Sequence, residues 1–296
     1  MAITNYPTDF EAKTTIIEVG KRMYAKNYVA ANDGNISCRV DKDIIWTTPT
    51  GVSKGFMSEE MLVKMRLDGT IISSGGLKPS SEVKMHIRVY QENPEVMGVT
   101  HAHPPVCTSF AIAGIGLDKA IYPEALVNLG TVPCVHYETP GTQGIPDSIA
   151  PYCRDYNAVL LGNHGALSWG NSLMEAFFRM ESMEHYALIL MYTGRILGKA
   201  NELSCDQVQE LLEIRESMGI KGGGIPRCAA KPSNLKDVLA TSYQPFYKQD
   251  QNISEKAEAN TCNCTKTSNS DCEIGLEDIK KITEAVIKRM QAIIGT

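Results

Sequence analysis

His101-Ala102-His103 closes the apolar run Val96-Met97-Gly98-Val99-Thr100, and His164 follows the run Ala158-Val159-Leu160-Leu161. Together these two runs constrain the fold more than any other part of the chain. Both are short and apolar, the pattern of buried strands. Residues i and i+2 of a strand point to one face, so His101 and His103 can address a single ion together. His164 has to reach the same point from the second strand. Gly162 and Gly165 beside it permit close backbone approach. Three imidazoles can hold a divalent metal and leave a coordination position open, as catalytic sites do. Taken alone, the HxH pair is short enough to arise by chance, and His164 reads equally well as a hydrogen-bonded core histidine. His86, His136 and His185 stand in ordinary sequence. His136 is expected in a strand and His185 in a helix, both with structural roles.

The segments around these runs alternate between helical and strand patterns, which makes residues 1–228 one α/β domain. Asp9 to Asn27 carries helical spacing through Ile16, Ile17, Val19 and Met23. Asn35 to Val40 and Ile44 to Thr48 alternate like a hairpin. Ser58-Glu59-Glu60 caps a short helix, and Val63 to Leu67 pairs with Thr70 to Ile72. Ser81 to Asn93 is expected as a helix opened by a serine cap and closed before Pro94. Pro104 to Ala113 is another, with proline in its first turn. Ser172 to Leu197 is long, largely apolar and expected to pack deeply.

The composition shifts at about Ala229. Between Lys248 and Glu273 the only large aliphatic residue is Ile253, and no aromatic residue occurs. Such a stretch buries too little apolar area to offset its ordering entropy, so residues 229–274 are expected to form a flexible linker. Leu276, Ile279, Ile282, Val286, Met290 and Ile293 then recur every three or four residues with charges between them. That spacing predicts an amphipathic helix over residues 275–296.

The net charge of −5, without a basic tract, argues against nucleic acid or a polybasic membrane anchor as partners. No stretch reaches the ~20 apolar residues that span a bilayer, and residues 1–21 lack the apolar core of a signal peptide. The 9 cysteines have no framework spacing. Free thiols in a reducing cytoplasm account for them, including Cys262, Cys264 and Cys272, which lack paired zinc-site spacing.

Three polar, glycine-containing segments precede the histidines: Asp33-Gly34-Asn35-Ile36-Ser37, Thr48-Pro49-Thr50-Gly51-Val52-Ser53 and Lys78-Pro79-Ser80-Ser81-Glu82. They supply hydroxyls, an amide and backbone N–H groups. Ser80 and Ser81 are placed at a helix N-terminus, where an anion is favoured. A phosphate cradle fits these features; so, segment by segment, do three ordinary turns. Glu82 likewise has two readings: a carboxylate that stabilises the helix dipole, or a metal ligand or proton acceptor.

In order and content, Gly34-Asn35-Ile36-Ser37, Thr50-Gly51, Pro79-Ser80-Ser81-Glu82, His101-x-His103 and Asn163-His164-Gly165 resemble the class II aldolase/adducin-like family. The resemblance covers roughly Ile16 to Leu197 and is nearest to members acting on L-fuculose 1-phosphate. It implies a three-layer α/β/α fold with a mostly antiparallel central sheet. It further implies one zinc ion per subunit held by His101, His103 and His164, with Glu82 as fourth ligand and then as proton-transferring base. Asn35, Thr50, Gly51, Ser80 and Ser81 would bind the substrate phosphate. Counting back from Thr131-Val132-Pro133-Cys134 places Tyr122 at the family's catalytic tyrosine, although its neighbours differ.

The implied reaction is cleavage of a ketose 1-phosphate, L-fuculose or L-rhamnulose 1-phosphate, to dihydroxyacetone phosphate and L-lactaldehyde by a homotetramer. Sugar-phosphate 4-epimerases and decarboxylases of the family share the metal histidines. The epimerases carry aspartate near the Glu82 position, so Glu82 leans toward aldol cleavage. Adducin-like members are structural and lack the metal ligands that this chain has. Residues 275–296 resemble encapsulation peptides, which implies microcompartment shell proteins as partners and a place inside a bacterial microcompartment. A helix that docks on its own domain, or one that joins subunits, are the other readings.

Overall fold

An eight-stranded sheet runs through residues 6–229, the part of the chain that the computed structural model describes. The first helix, α1 (Asp9–Ala25), turns Ala12, Ile16, Val19 and Met23 inward at helical spacing. A capping box opens it. The Thr8 hydroxyl oxygen accepts from the Glu11 amide at 3.2 Å, and the Glu11 carboxylate accepts from the Thr8 amide at 2.8 Å. Then follow β1 (Asn35–Asp41), β2 (Ile44–Thr47), β3 (Val63–Arg66), β4 (Ile71–Ser74) and α2 (Val83–Glu92). Next come β5 (Gly98–Ala102), α3 (Pro105–Ile112), α4 (Pro123–Asn128), β6 (Cys134–Val135) and α5 (Gly144–Ile149). The order ends with β7 (Ala158–Leu161), β8 (Gly165–Gly170), α6 (Leu173–Met191) and α7 (Cys205–Ser217).

The sheet order is β4-β3-β2-β1-β5-β8-β7-β6, and every neighbouring pair is antiparallel except β6–β7. Helices cover both faces, as the alternation along β7 shows. Ala158 and Leu160 join a core with Ile16 and Met23 of α1 and Phe177 and Met183 of α6. Val159 and Leu161 join another with Val83 and Val89 of α2 and Ile149 of α5. Successive strand residues face opposite sides, so the two cores lie on opposite faces of one sheet. Fully burying a Leu, Ile or Phe side chain contributes about 1.5–3 kcal/mol. The result is the three-layer, mostly antiparallel α/β fold that the motif resemblance implied. Cys38, Cys107 and Cys153 are buried free thiols within it.

Register decides where the site lies. Asn35 of β1 pairs with His101 of β5, Ala102 pairs with Ala166 of β8, and Gly165 pairs with Leu161 of β7. Four adjacent central strands therefore bring Asn35, His101 and the β7–β8 turn to one end of the sheet.

Three expectations need correction. The helix after Ser81 starts at Val83, and Glu82 itself occupies the capping position without a side-chain cap bond. Ser80, one residue earlier than expected, meets the helix opening: its Oγ accepts from the Glu82 amide at 3.3 Å, while its own amide donates to the Thr48 carbonyl at 3.2 Å and keeps the chain paired with its neighbour there. The long apolar helix is regular only to Met191 and widens into a π-turn over Tyr192–Ile196. There the Thr193 hydroxyl donates to the Ile189 carbonyl at 2.9 Å, and Gly198 ends the segment at φ +71°. His164 sits in the turn joining β7 and β8 rather than on a strand. The expected linker beyond Ala229 and the expected helix over 275–296 lie outside the described residues.

Candidate metal centre

His101 is the deepest residue of the site, with 0% of its surface exposed. Its Nδ1 lies 2.9 Å from the Ala166 carbonyl, which can only accept, so Nδ1 carries the proton. The Nε2 lone pair is thereby aimed away from β8 and into the centre. His103, just past the end of β5, is anchored through its backbone amide to the Tyr28 carbonyl at 2.8 Å. Its Nδ1 is 3.4 Å from the Asp33 carboxylate, which orients the second ring in the same manner. His164 follows Asn163, which takes a left-handed φ of +55° to make the tight turn.

Two glycines make this convergence possible. A Cβ on Gly165 would lie 2.6 Å from the Ala102 carbonyl oxygen and 2.6 Å from the His103 ring. Gly34 has φ +73°, and a Cβ there would come within 2.8 Å of the His101 carbonyl oxygen.

The ring centroids of His101, His103 and His164 are 4.7–5.2 Å apart, and one ring nitrogen from each lies within 4.8 Å of the others. Glu82 completes the group. Its carboxylate oxygens stand 3.6 Å from His101 Nε2 and 3.0 Å from His164 Nε2. The ring nitrogens His101 Nε2 and His103 Nε2 are buried without a hydrogen-bond partner. Buried polar atoms are rarely left so, and lone pairs that converge beside a carboxylate fit a divalent cation. Burial pushes the pKa of His101 well below the ordinary value and lowers that of His103. Both rings are therefore neutral ligands at neutral pH. Burial alone would raise the Glu82 pKa, but His101 first, and then His164, hold it at about 2. The donor set is thus three imidazoles, of which burial keeps His101 and His103 neutral, and one carboxylate.

The polar segments meet beside this group. Asn35, 1% exposed, donates from Nδ2 to Glu82 Oε2 at 2.9 Å and to Ser80 Oγ at 3.2 Å. The Thr50 amide donates to the Lys78 carbonyl at 3.0 Å, and Pro49 bridges to Pro79, so the two loops run side by side. Ser80 is buried under them, while Thr50, Gly51 and Ser81 face solvent. The structure therefore gathers Asn35, Ser80 and Glu82 beside the three histidines, and the loop carrying Thr50 and Gly51 runs alongside the segment that carries Ser80 and Ser81.

Tyr122 is not gathered with them. It precedes α4, and its ring packs edge-on against His185 of α6 at 5.8 Å. Among the described residues it makes no hydrogen bond or ring contact with the three histidines.

Sequence reasoning passed over three residues. Asp33 lay in a segment already singled out, next to Gly34, yet only the fold shows it facing His103. Lys54 sits three residues beyond Gly51, and nothing in the sequence marks it as buried. His86 is wholly buried one helical turn after Glu82, bonded through Nδ1 to Ser37 Oγ at 2.7 Å; Ser37 Oγ also meets the Tyr90 hydroxyl at 2.8 Å.

The profile of the family described as Class II Aldolase and Adducin N-terminal domain matches residues 14–191. A 3-oxo-tetronate 4-phosphate decarboxylase of Pectobacterium atrosepticum is 31% identical over 204 residues, covering 68% of this chain and 92% of that protein. An L-fuculose phosphate aldolase of Methanococcus maripaludis is 32% identical over 174 residues, covering 59% of this chain and 93% of that one. Among solved structures, YgbL from Klebsiella pneumoniae, described as an aldolase, epimerase or decarboxylase, aligns with a TM-score of 0.65 at 30% identity. It covers 69% of this chain and 99% of its own. An L-fuculose 1-phosphate aldolase aligns with a TM-score of 0.65 at 25% identity, over 72% of this chain and 100% of its own.

Proposed function

The chain belongs to the class II aldolase and adducin N-terminal domain family, and from there we propose that it is a zinc-dependent aldolase. Its substrate is a ketose 1-phosphate, L-fuculose or L-rhamnulose 1-phosphate, and its products are dihydroxyacetone phosphate and L-lactaldehyde. The observation that carries this reading is the meeting of three inward-facing histidines with the Glu82 carboxylate beside a hydroxyl-lined pair of loops. Neutral imidazoles and a carboxylate suit zinc in a four-coordinate site. Bound there, the metal acts as a Lewis acid that stabilises negative charge developing on the substrate oxygens.

The chain's own residues do the rest. Thr50, Gly51, Ser80 and Ser81 hold the phosphate and fix the reacting carbons relative to Glu82. Asn35 donates to Glu82 Oε2 and keeps the carboxylate turned toward the histidines. Glu82 carries a proton to or from the substrate carbon, and Tyr122 to or from the aldehyde oxygen. In cleavage the C3–C4 bond leaves its electron pair on C3. The proton lost from the C4 hydroxyl is balanced by one gained at C3. Tyr122 makes no contact with the histidines of its own subunit; in the proposed assembly it would serve the site of a neighbouring copy. This accords with the proposed homotetramer.

A second reading is favoured by one observation: relatives of comparable similarity are named 3-oxo-tetronate 4-phosphate decarboxylase. Loss of carbon dioxide leaves the same kind of charge next to a carbonyl, and the same residues would serve it. Incubation with each phosphate separates the readings. Dihydroxyacetone phosphate from a ketose 1-phosphate supports the aldolase; carbon dioxide from the oxo-tetronate phosphate, without aldol cleavage, supports the decarboxylase. The proposal extends to residues 275–296 as a segment that binds microcompartment shell proteins and confines the reactive aldehyde product. Its support is the amphipathic spacing after a polar stretch.

A further inference from the structure

Lys54 is 1% exposed at the start of the 3-10 turn Lys54–Phe56. Its ammonium donates to the Asn32 carbonyl at 2.8 Å and to the Val52 carbonyl at 2.6 Å. These carbonyls belong to the two segments that deliver Asn35 on one side and Thr50 and Gly51 on the other. The ammonium therefore ties together two of the three loops around the site.

The tie alone does not explain the residue type. A lysine is almost never fully buried unless a carboxylate pairs with it, because desolvating the charge is costly. Among the described residues Lys54 makes no ion pair; its bonds are to neutral carbonyls. Burial pulls its pKa down to about 8, while the fields of Asp33 and Glu82 pull it back up. The side chain is therefore still mainly cationic at neutral pH and within electrostatic reach of both carboxylates. Those carboxylates are otherwise engaged, Asp33 with His103 and Glu82 with His101 and His164. A phosphate monoester brings about −1.5 to −2 charge at neutral pH, and it would arrive beside two carboxylates. A fixed cation behind the loops offsets that repulsion without occupying the space the phosphate needs.

Resting on the phosphate-cradle reading above, we propose that Lys54 is a positioning residue for phosphate recognition. Its buried ammonium clamps the Asn32 and Val52 carbonyls and supplies a positive charge that offsets the repulsion a bound phosphate meets from Asp33 and Glu82. Substrate discrimination follows: the chain selects phosphorylated over unphosphorylated ketoses partly through a cation that does not touch the phosphate.

The test uses the full-length, metal-loaded protein with inorganic phosphate as probe, and compares wild type with Lys54→Gln, Lys54→Arg and Ser81→Ala. Phosphate binding is read by calorimetry, and KM and kcat with a ketose 1-phosphate and with the same sugar unphosphorylated. Lys54→Gln is expected to weaken phosphate binding roughly tenfold or more and to raise KM for the phosphorylated sugar alone. Metal content stays as in wild type, and turnover of the unphosphorylated sugar falls far less than that of the phosphorylated one. Lys54→Arg, which keeps the charge, is expected to retain phosphate binding within about threefold.

A folded Gln variant with unchanged phosphate binding overturns the proposal, as does one that loses both sugars equally. Should the Gln variant fail to fold, an Arg variant that folds yet has lost phosphate binding overturns it as well. If Ser81→Ala weakens phosphate binding and Lys54→Gln does not, the Lys54 role fails and the cradle stands. If neither changes it, the cradle itself is wrong.

Discussion

Asn35 holds one oxygen of Glu82 while His164 meets the other, so the carboxylate is fixed from two sides before any substrate arrives. Glu82→Gln keeps the shape and removes the charge and the proton-carrying capacity. It is expected to fold normally and to lose turnover by about 10²–10⁴-fold, as removal of a general acid–base group does. Steady-state kinetics beside a melting curve checks this, and a variant with near-normal turnover contradicts the role given to Glu82. His86 gives a stability prediction. Its burial lowers the pKa from 6.5 to about 3, so the unfolded chain takes up the proton first as pH falls. Its contribution is present in full above pH 6.5 and is lost progressively toward about pH 3. Denaturant unfolding of the wild type should therefore lose ground to His86→Gln between pH 7 and about 5, the glutamine being unable to titrate. Parallel stability curves for the two proteins would show that His86 is not the group responsible.

Strands and turns, rather than single side chains, set the distances in the site. The β5–β8 and β7–β8 pairings bring His101, His103 and the His164 turn together, and a Cβ at Gly165 would lie 2.6 Å from the His103 ring. Gly165→Ala is expected to leave the fold intact and displace the His103 ring, lowering metal affinity by about 10–100-fold, as perturbing a ligand's support does. Competition with a zinc-binding dye measures this; unchanged affinity would mean that the ring tolerates the added methyl.

At this scale the sequence was legible where local pattern agreed with tertiary context. The helix beginning at Asp9, the β1–β2 hairpin and the β7 run all formed where their patterns placed them. The opening of α2 was not legible, because Ser80 is held by a backbone bond to Thr48, far away in sequence. Nor was β6: two residues long, it exists only through pairing with β7. His101 and His103 were readable as a ligand pair because HxH at a strand end aims both rings one way, and His164 joined them only through the order of the motifs around it, whereas Asp33, Lys54 and His86 act through contacts that only the folded chain creates.

Across the whole molecule, residues 6–229 assemble a three-layer fold with the metal-binding group at one end of its central strands, and no described helix is long and apolar enough to cross a membrane. Residues 275–296 lie outside that description, and their proposed role is separable from the chemistry. Deleting them should leave turnover unchanged and abolish co-purification with shell proteins; an inactive truncation would contradict encapsulation as their role. The central claim is that His101, His103, His164 and Glu82 hold a metal that makes the chain an aldolase. Its most direct test follows dihydroxyacetone phosphate released from L-fuculose 1-phosphate by the zinc-loaded protein, after chelation, and after zinc is restored. Release that stops on chelation and resumes with zinc is the predicted result; no dihydroxyacetone phosphate from either L-fuculose or L-rhamnulose 1-phosphate, with zinc bound, would contradict it.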